Sequence, residues 1–211
     1  MTTICPTVTA TSLTEFSEQL SLVLTFANRI HIDIMDGDFA PTKSPIITTL
    51  PSLPVSEKVV DIHVMYRNPE EISDQLIAIK PNMVIIHAES IVDVPLFAAK
   101  LRRNGIKTGL ALLPETTVDS VASWLPHVQQ LLIFSGNLGY HGGGADVLLL
   151  HKINEAKKYH RNLEFSWDGG ANLNNVGKLH DAGIDIINVG GAIHAAVDPR
   201  AAYAQLAEFV A

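Results

Sequence analysis

The sequence has little cysteine, little charge and no long apolar run, and each shortage excludes a class of protein. With one cysteine among 211 residues, neither a disulfide framework nor a zinc site of paired cysteines can form. No apolar run approaches the roughly 18 residues of a membrane helix, and the first residues lack the basic-then-apolar pattern of a signal peptide. We therefore expect a soluble, cytoplasmic protein with no membrane partner.

Positive charge is also scarce, because 15 Lys and Arg residues stand against 22 Asp and Glu residues, which gives a net charge of −7. The chain has no basic stripe of the kind that binds nucleic acid, so we expect no nucleic-acid partner. A small anionic substrate is compatible with this charge, since backbone N–H groups can bind a phosphate locally. With 47% hydrophobic and 18% charged residues, the composition excludes a disordered chain.

The chain alternates between short apolar runs rich in β-formers and segments with helical spacing. Several runs are nearly continuous in Val, Ile and Leu, which is typical of parallel strands covered on both faces. The eight predicted strands are residues 3–8, 29–35, 58–65, 83–87, 107–113, 130–135, 163–167 and 184–189. A strand followed by a helix, eight times over, predicts an α/β protein, and the count favours a (β/α)8 TIM barrel over a doubly wound open sheet. No linker interrupts the pattern, so we expect residues 1–211 to form a single compact barrel domain.

Capping residues mark the starts of several predicted helices. Ser12 precedes an apolar stripe in residues 13–27, and Glu15 completes the pattern of a capping box. Proline at the first helical position predicts further helices directly after Asn68 and Asp198.

Ionisable residues lie within the second and third predicted strands, near the ends where an α/β barrel places its chemistry. Strand alternation puts His31, Asp33 and Met35 on one face and the two intervening isoleucines on the other. The isoleucines suit the layer between strands and helices, so the polar set is predicted to point into the barrel. Asp61 and His63 repeat this pattern on the next strand.

Histidine and aspartate are costly to bury unless they are paired, protonated or bound to a metal. Two of each at strand ends form a normal ligand set for Zn²⁺, Fe²⁺, Mn²⁺ or Co²⁺. The residues predicted to bind one divalent metal ion per chain are His31, Asp33, His63 and Asp168. For Asp61 and His87, a supporting contact to this site and a purely structural role are both open.

Glycine-rich turns follow the last three predicted strands, at residues 136–144, 168–170 and 190–191. Glycine lets a ligand approach the backbone closely, and such turns form the phosphate-binding end of many α/β barrels. Taken singly, each turn also fits a tight bend without any ligand. The turns contain no Lys or Arg, so we predict that backbone N–H groups bind a phosphate there.

The second strand and the loop after it carry a longer motif, residues 31–41, which reads HIDIMDGDFAP. This motif resembles the H-x-D-x-M-D-G-x-F-x-P signature of the ribulose-phosphate 3-epimerase family. A second signature is matched by residues 61–65 with Asn68-Pro69-Glu70. Further matches follow in order at residues 86–89, 109–112, 167–170 and 188–193, so the resemblance covers nearly the whole chain.

The resemblance implies a metal-dependent 3-epimerase of a ketose phosphate in carbohydrate metabolism, acting in the pentose phosphate pathway. The default reaction converts D-ribulose 5-phosphate into D-xylulose 5-phosphate through a metal-stabilised enediolate. It implies that Asp33 and Asp168 are the catalytic proton carriers, on opposite faces of that intermediate. It also implies a homo-oligomer, a dimer or a hexamer. The residues expected to contact the sugar phosphate are Thr7, Met35, His63, Met65, Gly139, Tyr140, His141, Gly142, Gly169, Gly170, Gly190 and Gly191.

Several positions depart from the family pattern around the expected substrate. Thr7 replaces a serine, Phe134 replaces a methionine, and Gly191 replaces a serine in the phosphate turn. The turn at residues 137–143 lacks the usual Pro, one Gly and the Gln. The metal ligands are intact, so the departures affect the choice of sugar. A hexulose 6-phosphate such as allulose 6-phosphate is the alternative substrate, and a non-catalytic sugar-phosphate-binding barrel is the alternative function.

Overall fold

Eight parallel strands close into a barrel in the computed structural model, which describes residues 2–50 and 52–211. The strands pair in chain order, and the last pairs with the first. They are β1 (Thr3–Thr9), β2 (Arg29–Met35), β3 (Val59–Met65), β4 (Met83–His87), β5 (Lys107–Leu112), β6 (Gln130–Phe134), β7 (Glu164–Asp168) and β8 (Ile186–Val189). The predicted TIM barrel is confirmed and the open sheet is excluded; the strand ends differ from prediction by no more than two residues.

Helices cover the outside of this barrel. They are α1 (Leu13–Leu24), α2 (Ser73–Ile79), α3 (Val94–Arg103), α4 (His151–Tyr159), α5 (Val176–Asp181), α6 (Gly191–His194) and α7 (Pro199–Phe209). None of the helices in the described part of the chain is long and apolar enough to cross a membrane.

The expectation of a helix after every strand is wrong at two places. Within the described residues, the connections after β2 and β5 contain short 3-10 helices and no α-helix. Both connections are rich in proline, including Pro41 and Pro45 in the first and Pro114 and Pro126 in the second. Proline lacks the N–H that a continuing helix needs, which explains the short turns.

The predicted helix starts are confirmed in part. The Ser12 hydroxyl accepts a hydrogen bond from the backbone N–H of Glu15, as a capping residue should. The Glu15 carboxylate reaches the N–H of Thr11 instead of that of Ser12, so the capping box is only half formed. Asp198 caps α7 as expected, whereas the segment after Asn68 first makes a 3-10 turn and then enters α2. The helix predicted for residues 13–27 ends at Leu24.

The two faces of the strands separate apolar and polar residues as predicted. Ile32 and Ile34 are buried in the main apolar core between the strands and the helices. His31 and Asp33, which alternate with them, point to the barrel interior. The alternation therefore places ionisable side chains where strand ends enclose them.

A separate ion-pair network occupies the amino-terminal end of the barrel. The Arg29 guanidinium donates from Nε to Asp61 at 2.6 Å and from Nη1 and Nη2 to Glu164 at 3.1 Å. Asp61 also accepts a hydrogen bond from Asn82. The sequence left two roles open for Asp61, a supporting contact to the metal site or a purely structural one. Asp61 has the structural role, because its carboxylate binds Arg29 at the end of the barrel opposite the predicted metal ligands.

Candidate metal and active site

The four predicted metal ligands converge at the carboxyl-terminal ends of β2, β3 and β7. One ligand atom from each of His31, Asp33, His63 and Asp168 lies within 4.8 Å of the other three. Because the barrel is closed, β8 pairs with β1, and only β8 and β1 separate β7 from β2. Asp168 on β7 therefore meets residues from strands that are distant in sequence.

The spacing of these atoms fits a small cation at their centre. His31 Nε2 lies 3.3 Å from Asp33 Oδ1 and 3.6 Å from Asp168 Oδ2. His63 Nδ1 lies 2.9 Å and 3.6 Å from the same two oxygens. Tetrahedral ligands at about 2.1 Å from a metal stand roughly 3.4 Å apart, which is close to these values. Among the described residues, buried His31 Nε2 also lacks a hydrogen-bond partner of good geometry, as expected for a metal-binding atom.

The electrostatics of the cluster favour a bound cation. Burial favours a neutral His31 ring, but the carboxylates of Asp168 and Asp33 outweigh it and raise the pKa of His31 to about 10. Burial of the Asp33 carboxyl favours its protonated form, yet His31 and His63 lower the pKa of Asp33 far below its usual range. The pocket therefore holds buried negative charge that needs a proton or a metal ion to balance it.

Asp33 is held in place by a residue that the sequence did not single out. The Thr9 hydroxyl at the end of β1 donates to Asp33 Oδ2, which leaves Oδ1 facing the two histidines. The pairing of Thr9 with Asp33 across β1 and β2 makes this contact direct. Alternation along β1 places Thr9 on the same face as Thr7, and this signal in the sequence could have identified it.

A cleft of about 260 Å³ opens above the cluster. Asp33, Asp168 and Met65 line one part of it, and the glycine-rich turns line the other. The turn residues on its surface are Gly136, Tyr140, His141, Gly142, Gly143, Gly169, Gly170, Gly190 and Gly191. The cleft therefore places the side chains of Asp33 and Asp168 and accessible backbone within reach of one small molecule.

Two glycines allow the turns to approach one another and the cleft. Gly169 has φ +113°, and a Cβ at this position would lie 2.0 Å from the backbone nitrogen of Gly136. A Cβ on Gly190 would lie 2.3 Å from His141 Nδ1 and 2.5 Å from Thr7 Oγ1. The turn after β8 is therefore in close contact with the loop after β6 and with the end of β1.

Nine of the twelve predicted substrate contacts line the cleft, and three do not. His63 is fully buried and meets Asp33 below the cleft surface. Met35 is fully buried beneath Met65 and Ala40, where it adds to an apolar cluster. The carbonyl of Gly139 accepts a hydrogen bond from Thr42, so this glycine shapes the loop behind Tyr140.

Asn188 on β8 is a cleft residue that the predicted set omits. Its side chain is 2% exposed, and neither its amide nitrogen nor its amide oxygen has a partner among the described residues. A buried amide without partners is costly, so a ligand hydroxyl in the cleft would satisfy it. The signal in the sequence was a lone amide in an apolar strand directly before a glycine turn.

His87 lies directly behind His63, which supports a role at the site. The two Nε2 atoms are 2.9 Å apart, and His87 Nδ1 lies 3.3 Å from Glu89. Burial lowers the pKa of His87 to about 4, so the ring is neutral at pH 7. Burial acts to raise the pKa of Glu89, but hydrogen bonds, the first from His87, outweigh it and lower that pKa.

Comparison with solved structures identifies the same architecture in sugar-phosphate enzymes and others. A 3-hexulose-6-phosphate synthase superposes with a TM-score of 0.74 at 16% identity, over 99% of both chains. A tryptophan synthase from Mycobacterium tuberculosis superposes with a TM-score of 0.72 at 12% identity, over 99% of this chain and 92% of that one. At these identities the likeness shows the fold alone.

Comparison of sequences is more specific. The ribulose-phosphate 3-epimerase of Mycobacterium leprae (strain TN) is 29% identical over 210 residues, covering 96% of this chain and 92% of that protein. The protein of the same name from Helicobacter pylori (strain ATCC 700392 / 26695) is 29% identical over 182 residues, covering 83% of each. The sequence profile of the Ribulose-phosphate 3 epimerase family matches residues 3–194, which contain every ligand of the cluster. With barrel, cluster and sequence in agreement, the chain belongs to the ribulose-phosphate 3-epimerase family, whose members are isomerases acting on carbohydrates.

Proposed function

We propose that the chain, as one barrel domain, catalyses the metal-dependent 3-epimerisation of a ketose phosphate, with D-ribulose 5-phosphate and D-xylulose 5-phosphate as the interconverted pair. The observation that carries this proposal is the convergence of two buried histidines, buried Asp33 and partly exposed Asp168 at the floor of the cleft. Inversion at C3 requires two proton carriers, and the cluster supplies two carboxylates.

The cluster residues fit a divalent metal ion, because their donor set is two imidazole nitrogens and two carboxylate oxygens. Its proposed ligands are His31, Asp33, His63 and Asp168. When bound, such an ion supplies Lewis-acid stabilisation of negative charge on the C2 oxygen of the sugar. The remaining chemistry belongs to the side chains and backbone of this chain.

Asp33 and Asp168 are the proposed proton carriers. One aspartate acts as a carboxylate and removes the C3 proton to give a planar enediolate, and the other acts as a carboxylic acid and donates its proton to the opposite face. Thr9 fixes the orientation of Asp33 through Oδ2. Met65 presents a polarizable apolar surface to the intermediate, with Met35 packed behind it, and this surface keeps water from the reacting carbon.

The glycine-rich turns are the proposed phosphate site. Backbone N–H groups of residues 139–143, 169–170 and 190–191 are proposed to hold the phosphate while the sugar carbons reach the cluster. Thr7 and Asn188 lie on the cleft wall, where their polar groups can contact sugar hydroxyls. Oligomerisation as a dimer or a hexamer remains part of the proposal.

A panel of substrates tests this function and its alternatives. Purified protein reconstituted with Zn²⁺, Fe²⁺, Mn²⁺ or Co²⁺ is expected to epimerise D-ribulose 5-phosphate faster than any hexulose 6-phosphate. Faster turnover of allulose 6-phosphate would assign the alternative substrate. Tight binding of sugar phosphates without turnover under all four metals would assign the non-catalytic barrel and contradict the enzyme.

The proposed metal site predicts one divalent ion per chain in protein purified without chelator. Elemental analysis gives this ratio directly, and Ala substitution of His31 should lower it because the variant removes one ligand. A matched substitution at exposed His151 should leave the ratio unchanged, since its ring lies on α4. A ratio near zero, with no activation by any of the four metals, would contradict the site.

The phosphate site predicts a selective effect of Gly190→Ala. The new methyl group would collide with His141 and Thr7, and an overpacked site loses about 1–3 kcal/mol. We expect KM for the sugar phosphate to rise roughly 10-fold, since 1.4 kcal/mol corresponds to that factor. The metal content should stay the same.

Gly144→Ala is the matched control, because position 144 lies outside the N–H groups of residues 139–143 that are proposed to hold the phosphate, and a Cβ there meets nothing within 4 Å. Its KM should equal that of the unmodified protein. An unchanged KM in Gly190→Ala would argue against phosphate binding at this turn.

A further inference from the structure

A chain of hydrogen bonds leads from the His/Asp cluster to Glu89, directly after β4, and on to the loop after β5. His63 Nε2 lies 2.9 Å from His87 Nε2, and His87 Nδ1 lies 3.3 Å from Glu89 Oε2. The ring of His87 is fully buried, with the rings of Phe39 and Phe134 at centroid distances of 4.7 Å and 5.8 Å. Both nitrogens of His87 are therefore committed to these two neighbours.

The far end of this chain is fixed by the loop after β5. Glu89 Oε1 accepts hydrogen bonds from the backbone N–H of Leu113, at 3.0 Å, and from the Thr116 hydroxyl. Buried Lys152 on α4 donates from Nζ to the carbonyls of Leu113 and Thr116 at 2.8 Å and 2.9 Å. The Glu89 carboxylate thus has a fixed position that does not depend on the cluster.

The positions of the protons follow from these partners. The Glu89 carboxylate accepts hydrogen bonds from Leu113 and Thr116 and faces His87 Nδ1, so a His87 ring with a single proton carries it on Nδ1. His87 Nε2 is then an acceptor, and the proton between the two rings must come from His63 Nε2. A His63 ring that carries its only proton on Nε2 presents the lone pair of Nδ1 to the cluster. Nδ1 and Asp33 Oδ1, 2.9 Å apart, are then both acceptors, so a cation or a second proton is required between them.

We propose that Glu89 and His87 are positioning residues that hold the His63 proton on Nε2 and so keep Nδ1 free to bind the metal ion. The proposal rests on the metal site of the proposed function. Neither residue touches the sugar in this arrangement; both act through His63. Without Glu89, the proton of His87 can move to Nε2, and His63 can then turn its own proton toward the cluster.

Metal affinity is the first readout. Glu89→Gln removes the obligate acceptor, since a glutamine amide can also donate, and we expect metal affinity in a chelator competition to fall about 10- to 100-fold. Glu71→Gln makes the same change of charge at an exposed position and should leave affinity unchanged. His87→Gln retains an acceptor for His63 and should therefore lose less affinity than His87→Leu.

The second readout needs neither metal nor activity. Nitrogen-15 NMR of the imidazole rings in the metal-free protein should show His87 as the tautomer protonated on Nδ1, and Glu89→Gln should weaken that preference. A His87 proton on Nε2 in the unmodified protein would overturn the proposal. So would equal metal affinity of Glu89→Gln and Glu71→Gln, although the metal site itself would then stand. Failure of the unmodified protein to bind any metal would instead overturn the proposed function.

Discussion

Asparagine at position 33 or 168 is expected to lower epimerase turnover by about 10²- to 10⁴-fold, because each variant loses one of two proton carriers. The amide of asparagine keeps an oxygen at each position, so part of each population should retain metal. In that population the remaining carboxylate still reaches one face of the sugar. It should exchange the C3 proton with solvent deuterium in one epimer and leave the other epimer unlabelled.

The two variants should give opposite patterns. If Asp33→Asn labels only one of D-ribulose 5-phosphate and D-xylulose 5-phosphate, Asp168→Asn should label only the other. NMR of C3 in D₂O, with metal content measured on the same samples, separates lost proton transfer from lost metal. Full epimerisation by either metal-loaded variant would show that the missing carboxylate is not a proton carrier.

The largest effect on stability is expected from Arg29→Met at the other end of the barrel. Asp61 is 1% exposed and loses its only cationic partner among the described residues, although Asn82 still donates to it. Removing one partner of a buried ion pair typically costs about 3–5 kcal/mol, because the remaining charge has no compensation. Urea denaturation of the metal-free protein measures this loss of unfolding free energy.

A double variant identifies the cause of that loss. Arg29→Met combined with Asp61→Asn removes the uncompensated charge, so it should be more stable than Arg29→Met alone. Equal stability of the single and double variants would mean that the loss comes from packing of the Arg29 side chain.

The barrel could be predicted from the sequence because each strand is a separate local signal. Period-two alternation around Ile32 and Ile34 assigned the faces of β2, and the same alternation assigned His31 and Asp33 to the interior. The exceptions have a local cause as well: proline after β2 and β5 shortened the connections to 3-10 turns. The prolines in these connections can be read from the sequence. That they replace an α-helix by short 3-10 turns in both connections could not be predicted from it.

The candidate site was only partly predictable, because pairing across strands decides which polar residues meet. Asp61 and His87 carried similar signals, but Arg29 engages the first at the amino-terminal end while His63 engages the second at the cluster. Strand alternation places Thr9 on the interior face and Asn188 is a lone amide in an apolar strand, but their partners, Asp33 and the cleft, follow only from the pairing of the strands. Such contacts depend on the register between strands, which no single run of residues specifies.

The proposed two-aspartate epimerisation is tested most directly by incubating D-ribulose 5-phosphate with the metal-reconstituted protein in D₂O and recording NMR spectra of the sugar. Two-carboxylate epimerisation predicts conversion into D-xylulose 5-phosphate with one deuterium at C3 and none at C1 or C4. The proposal would be contradicted if the folded, metal-loaded protein produced neither the epimer nor exchange at C3, with D-ribulose 5-phosphate and with every hexulose 6-phosphate tested.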